Sequence, residues 1–172
     1  LIHICDNAMS PALLQSMATR EMRSPWYGFA RITHDMAEPD FCCALRRSGC
    51  VMLKLGLESG DQKVLDALNK GISVHDAARS LKALHDAGIA TYVYILFGTP
   101  SEDEDSSRNT MEFIAEHAGD IDFLNISIFN LPRGSTEAES LTTYAFSDGD
   151  LSLYQGFIHP KGWERNKVRR YL

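Results

Sequence analysis

No two of the four cysteines in this sequence stand in a Cys-x-x-Cys pair. Cys5 is isolated, Cys42 and Cys43 are adjacent and would point to different faces of a helix, and Cys50 lies just beyond them. That spacing argues against a disulfide framework or a structural zinc site and reads as free thiols, mostly packed, with cluster ligation the lesser alternative. No run of about eighteen apolar residues is present, so no transmembrane helix is expected. No basic segment leads into an apolar stretch with a cleavage site, so no secretory signal is read. Positive charge is scarce as well: 17 Lys and Arg face 23 Asp and Glu, for a formal net charge of −6. This balance speaks against a general binder of nucleic acid or of a membrane surface. The one basic cluster, Lys167, Arg169 and Arg170, sits in the final residues and reads as a solvated tail. The six histidines show no metal-ligand spacing, and a cytoplasmic protein is the expectation.

What is present is a repeated unit of short apolar strand, loop and amphipathic helix. Strands are expected at Leu1–Cys5, Tyr27–Ile32, Val51–Leu57, Thr91–Phe97 and Phe123–Phe129, about 25 to 40 residues apart, as βαβ units require. Ser10 followed by Pro11 opens a helix over Ala12–Met22. Ser73 with Asp76 resembles a capping box ahead of Ala77, Leu81 and Leu84, and Ser101 with Glu104 repeats the device ahead of Met111 and Ile114. Gly49, Gly88 and Gly119 stand where each helix must stop before the next strand, and glycine accepts the left-handed conformation such stops use.

A parallel α/β architecture follows, either a doubly wound sheet or a barrel. Strands covered by helices on both faces read as continuous apolar runs, whereas these carry polar residues on one parity. Arg31 falls with Tyr27 and Phe29, Lys54 and Glu58 fall with Gly56, and Asn125 and Ser127 alternate with Leu124, Ile126 and Ile128. One apolar face and one mixed face fit the wall of a (β/α) partial TIM-type barrel with its helices outside. About five strands are present, over residues 1–136, and five do not close an ordinary barrel. Residues 137–172 read as a linker and C-terminal extension, the pattern breaking after Asp148. The sequence starts at Leu1, inside a strand, and so reads as a segment of something longer.

Ligands of parallel α/β folds gather at the C-terminal strand ends. Those ends carry Asp6 and Asn7; Arg31, Thr33 and His34; Gly56-Leu57-Glu58-Ser59-Gly60; Phe97-Gly98-Thr99-Pro100-Ser101-Glu102; and Phe129-Asn130-Leu131-Pro132-Arg133-Gly134. The third of these, with Asn69-Lys70-Gly71-Ile72 after it, resembles the strand-four region of radical S-adenosylmethionine (SAM) enzymes, in the branch that often follows a cobalamin-binding domain. The fourth, preceded by Ala87-Gly88-Ile89, looks like that family's strand five and its Gly-x-Pro-x-Glu loop, and the fifth like the end of strand six. The pieces run in the family's order over residues 1–136.

The resemblance implies the barrel from strand two onward of an enzyme that binds SAM beside a 4Fe–4S cluster. Such an enzyme cleaves SAM reductively and abstracts hydrogen from a substrate. Cobalamin in an upstream domain is a further implied cofactor, and a small or unknown molecule the substrate. Carried over residue by residue, Glu58 and Ser59 are implied as polar contacts to SAM, Arg31 as a partner for its carboxylate, and Ile95, Leu96 and Gly98 as adenine-lining. Asp6 matches an often acidic strand-two end. The family's Cys-x-x-x-Cys-x-x-Cys motif is missing, and three such thiolates are what would leave one cluster iron open for SAM. The expected partner is therefore an upstream part of the same polypeptide that carries the motif, the segment alone being inert.

Two other readings stand beside this one. Arg31 and Glu58 serve equally well as a lumen ion pair, and the alternative to the enzyme reading is a degenerate SAM-binding or interaction scaffold. A TIM-barrel lyase or aldolase would instead need eight strands and a Schiff-base lysine, for which Lys54 is the strand lysine available.

Overall fold

The computed structural model describes residues 1–146 and 152–172; Asp148, where the sequence pattern stops, lies outside them. Five strands form one parallel sheet in chain order: β1 (Ile2–Met9), β2 (Trp26–Ala30), β3 (Cys50–Glu58), β4 (Ala90–Phe97) and β5 (Phe123–Ile128). Helices α1 (Pro11–Ala18), α2 (Pro39–Arg47), α3 (Gln62–Ala67), α4 (Val74–Asp86) and α5 (Glu104–Glu116) fill the crossovers. Unbroken strand order with right-handed crossovers puts every helix on one face. That distinguishes an open barrel wall from a doubly wound sheet, in which the order reverses.

Alternation along the strands decides which side chains meet the helices. Leu53, Leu55 and Leu57 of β3 and Val93, Ile95 and Phe97 of β4 are almost fully buried, in one cluster with Leu14, Leu45, Leu81 and Leu84 from the helices. The opposite parity faces the lumen and is half-exposed. Gly49 and Gly88 take positive φ, +100° and +75°, and end α2 and α4 as their positions require.

Three boundaries differ from expectation. The first helix stops at Ala18 rather than Met22, because Thr19 caps it with φ −90° and ψ 1°. The capping box of α5 is built from Asp103 and Ser106, not from Ser101 and Glu104. Glu102 turns inward to accept a hydrogen bond from the Gly98 N–H, and the helix can start only after it. Gly119 sits in a short 3₁₀ turn, Ala118–Asp120, without a left-handed residue.

Beyond β5 the chain forms a small antiparallel sheet, β6 (Leu131–Pro132), β7 (Thr143–Tyr144) and β8 (Tyr154–Phe157), with β8 in the middle. The short helix α6 (Thr136–Glu139) and the terminal helix α7 (Arg165–Tyr171) complete it. The terminal part is more than a tail, since Trp163 and Val168 belong to the main apolar cluster. His159 fastens it. Its Nε2 lies 2.8 Å from the Thr99 carbonyl, while Nδ1 accepts from the N–H groups of Lys161 and Trp163. The carbonyl only accepts, so Nε2 carries the proton and the ring is neutral.

Burial holds His159 below its ordinary pKa, against the Thr99 carbonyl and the Glu164 charge. The unfolded chain therefore takes up the proton first, and the clamp weakens as pH falls through about 6.5. His159→Ala is expected to cost about 1–3 kcal/mol, the usual penalty for orphaning buried polar groups. Amide hydrogen exchange should accelerate over Tyr154–Tyr171 and stay slow in β3 and β4; equal acceleration everywhere would contradict a local clamp.

Candidate functional site

The lumen face is layered, because register fixes which side chains share a level across the strands. The deepest layer runs His3, Tyr27 and Met52, the middle one Phe29, Lys54, Tyr92 and Phe123, and the upper one Gly56, Tyr94 and Asn125, with Glu58, Leu96 and Ser127 at the rim and Arg31 just past the end of β2. Above the middle layer opens a cavity of about 480 Å³, bordered by Asn7, Arg31, Glu58, Lys70 and Leu96. That volume suits a cofactor-sized ligand.

Glu58 holds the rim in an unusual way. Its φ is +71°, a conformation non-glycine residues rarely adopt and one that costs about 1–3 kcal/mol. The register between β3 and β4 slips at this point. The strained backbone folds the carboxylate back over Gly56, where an added Cβ would lie 2.8 Å from Glu58 Oε1 and 3.6 Å from Lys70 Nζ. Lys70 Nζ stands 3.4 Å from the same oxygen. Arg31 Nη2 reaches the carbonyls of Asn69 and Lys70 at 3.4 and 3.5 Å, and so braces the loop that delivers Lys70. Glu58 pairs with Lys70, in place of the alternative lumen pair with Arg31. The charges present are of the kinds that SAM would need, cations for a carboxylate and a carboxylate for an amino group or ribose.

The sequence-based residues divide. Arg31, Glu58, Leu96 and Ile95 meet at this cavity, although the Ile95 side chain points into the core at 1% exposure and leaves only its backbone on the cavity side. Asp6 is exposed on β1, and its neighbour Asn7 is the residue that borders the cavity. Ser59 is fully buried, its hydroxyl 2.9 Å from Thr110 Oγ1 and accepting from the Asp61 N–H, so it shapes the loop into α3. Gly98, at φ +77°, lies under Val168 and borders a second cavity with Phe129, His159 and Trp163. Lys70 was missed as a site residue. Its signal was the Asn69-Lys70-Gly71 turn, which carries positive φ at both ends and returns the chain over β3.

The cysteines do not fit a cluster. Burial pushes the thiols of Cys42 and Cys50 up to about 12, while Cys5 and Cys43 are exposed and all four are free. Among the described residues no group of three or more His, Cys, Asp or Glu side chains could hold a metal ion.

Residues 13–114 match the Radical SAM superfamily. The chain belongs to that superfamily. Its members use SAM and a 4Fe–4S cluster. Curated relatives include bacteriochlorophyllide d C-12(1)-methyltransferase of Chlorobaculum tepidum, 29% identical over 83 residues, which are 48% of this chain and 18% of that protein. Another is the anaerobic magnesium-protoporphyrin IX monomethyl ester cyclase of Rubrivivax gelatinosus, 24% identical over 96 residues, 56% of this chain and 17% of that one. The chain thus spans less than a fifth of these relatives. Among solved structures, the radical SAM methyltransferase TsrM of Kitasatospora setae superposes with a TM-score of 0.64 and 20% identity. The match covers 96% of this chain and 34% of TsrM, a likeness of fold. TsrM has been solved with tryptophan and a SAM analogue, and with cobalamin and a 4Fe–4S cluster. No helix among the described residues of the present chain is long and apolar enough to cross a membrane.

Proposed function

We propose that this chain is the SAM-holding wall of a cytoplasmic radical SAM enzyme, in which SAM is cleaved reductively and hydrogen is abstracted from a substrate. The convergence of Arg31, Glu58 and Lys70 on one cavity at the C-terminal strand ends carries the reading. Lys70, with Arg31 beside it, meets the SAM carboxylate; Glu58 meets the amino group or ribose hydroxyls; Leu96 and the Ile95 backbone flank the adenine. The cluster is held by cysteines outside these 172 residues, and no step of the reaction is assigned to the four cysteines within them. Free thiols throughout support a reducing compartment. An upstream cobalamin domain remains part of the proposal, resting on the kinship with larger enzymes.

The test is SAM affinity by calorimetry in the full-length protein, with release of 5′-deoxyadenosine under reduction measured in parallel. Charge-assisted hydrogen bonds contribute about 1.5–3 kcal/mol each, so Lys70→Ala and Arg31→Ala should each weaken SAM by about tenfold or more. No binding, or unchanged affinity in both variants, refutes the site. Binding without 5′-deoxyadenosine favours the scaffold reading, for which the missing cysteine motif is the supporting observation.

A further inference from the structure

The layer around Lys54 lies below the rim cavity, which it meets at Phe29 and Tyr94, and its chemistry is specific. Lys54 Nζ stands 4.8 Å from the centre of the Phe29 ring, 5.4 Å from Tyr27 and 5.9 Å from Tyr92. Among the described residues these rings are its neighbours, and no carboxylate forms an ion pair with it. The rings continue on both sides of β3 in an arc that draws on the other four strands of the sheet. His3 stacks on Tyr27 at 4.5 Å and 1°, Tyr92 on Tyr94 at 5.0 Å and 24°, and Tyr92 on Phe123 at 5.7 Å and 21°. Aromatic faces attract a cation but satisfy none of its hydrogen bonds. The ammonium therefore keeps donors for an incoming acceptor, in a setting that favours flat, polarisable surfaces.

We infer that this layer is a recognition site for a planar, anionic small molecule, whose ring system lies on the Tyr and Phe rings and whose carboxylate or similar anion meets Lys54. The inference rests on the SAM reading in one respect: the molecule bound there is the substrate presented to SAM at the rim. The Glu58 carboxylate occupies the space over Gly56, and the rim cavity reaches the Lys54 layer beside it, at Phe29 and Tyr94.

Three probes separate the determinants: 2-naphthoate, its saturated counterpart decahydro-2-naphthoate, and the cation 2-(aminomethyl)naphthalene, each titrated calorimetrically into the full-length protein. The expected order is 2-naphthoate tightest, the saturated acid about tenfold weaker, and the cation without measurable binding. Lys54→Met should weaken 2-naphthoate about tenfold or more and leave SAM affinity unchanged. Tyr92→Leu should narrow the gap between the flat and saturated acids, with melting temperature as the check that both variants fold. Equal binding of the three probes, an unaffected Lys54→Met variant, or no naphthoate binding because other polypeptide covers the rings would overturn the inference. Loss of SAM binding with the probe order intact would overturn the SAM reading alone.

Discussion

Trp26→Ala should lower the stability of this protein by about 3–5 kcal/mol, the range for emptying a large aromatic site in a packed interior. Trp26 has zero exposure and opens β2, the second strand of the sheet. Its indole N–H donates to the Ser48 carbonyl at 3.2 Å, its backbone N–H to the Gly49 carbonyl at 2.9 Å, and its Cδ1 would stand 3.5 Å from a Cβ at Gly49. The ring thus fills the corner where α2 ends and β3 begins. Truncation leaves a cavity and takes one of two donors from the Ser48 carbonyl, which keeps the Met22 N–H at 3.1 Å. Trp26→Phe should recover most of the loss, since it restores volume but not the donor, whose absence costs about 1 kcal/mol. Chemical denaturation of the three proteins measures the series; a loss below about 1 kcal/mol for Trp26→Ala would show that the corner collapses without penalty.

Glu102 should make stability fall as pH rises, the reverse of the usual behaviour of a carboxylate. The side chain is fully buried, and burial raises its pKa to about 7 against the pull of the Gly98 N–H, Ser107 and Trp163. Neither Ser107 Oγ nor Trp163 Nε1 reaches Oε1 with ordinary hydrogen-bond geometry, and all three atoms are left without partners. With a folded pKa near 7 and an ordinary value of 4.5, the folded state keeps a proton that the unfolded state gives up between those values. The resulting loss is complete above about pH 7 and is on the order of 3 kcal/mol. Other carboxylates superimpose their own slopes, so the readout is the difference between the wild type and Glu102→Gln. That difference should move in favour of the variant by about 2–3 kcal/mol between pH 4.5 and pH 7.5, followed by urea unfolding at each pH. A flat difference would mean that the carboxylate ionises freely in place.

The two central strands were legible because each is a short aliphatic run that follows a helix-ending glycine, Gly49 or Gly88. Val51–Leu57 became β3, Cys50–Glu58, and Thr91–Phe97 became β4, Ala90–Phe97. Side-chain parity likewise put Arg31 and Glu58 on the lumen side. What stayed hidden depends on distance along the chain. Lys70 reaches the rim through a turn twelve residues past Glu58, and His159 meets Thr99 across sixty residues, so no local pattern announces either. Ser59 was misleading for a related reason. The resemblance implied a ligand contact, but a hydroxyl at a strand exit is equally useful to the next helix, and Thr110 had claimed it. The aromatic arc was visible only as scattered rings until strand register put Phe29, Lys54, Tyr92 and Phe123 on one level.

That layering also acts as a ruler. Lys54 and Glu58 lie on the same face of β3, four residues apart, and a strand advances about 3.3 Å per residue. Glu58 folds its carboxylate back over Gly56, two residues past Lys54, so the rim carboxylate stands only about 7 Å above the level of the Lys54 backbone. A molecule anchored at Lys54 presents to the rim only the part of itself that lies at that distance, so its length, more than its ring chemistry, selects which of its carbons can be acted on. Shortening the reach of the anchor, rather than repositioning the rim, is the change that would move the reaction to a different atom.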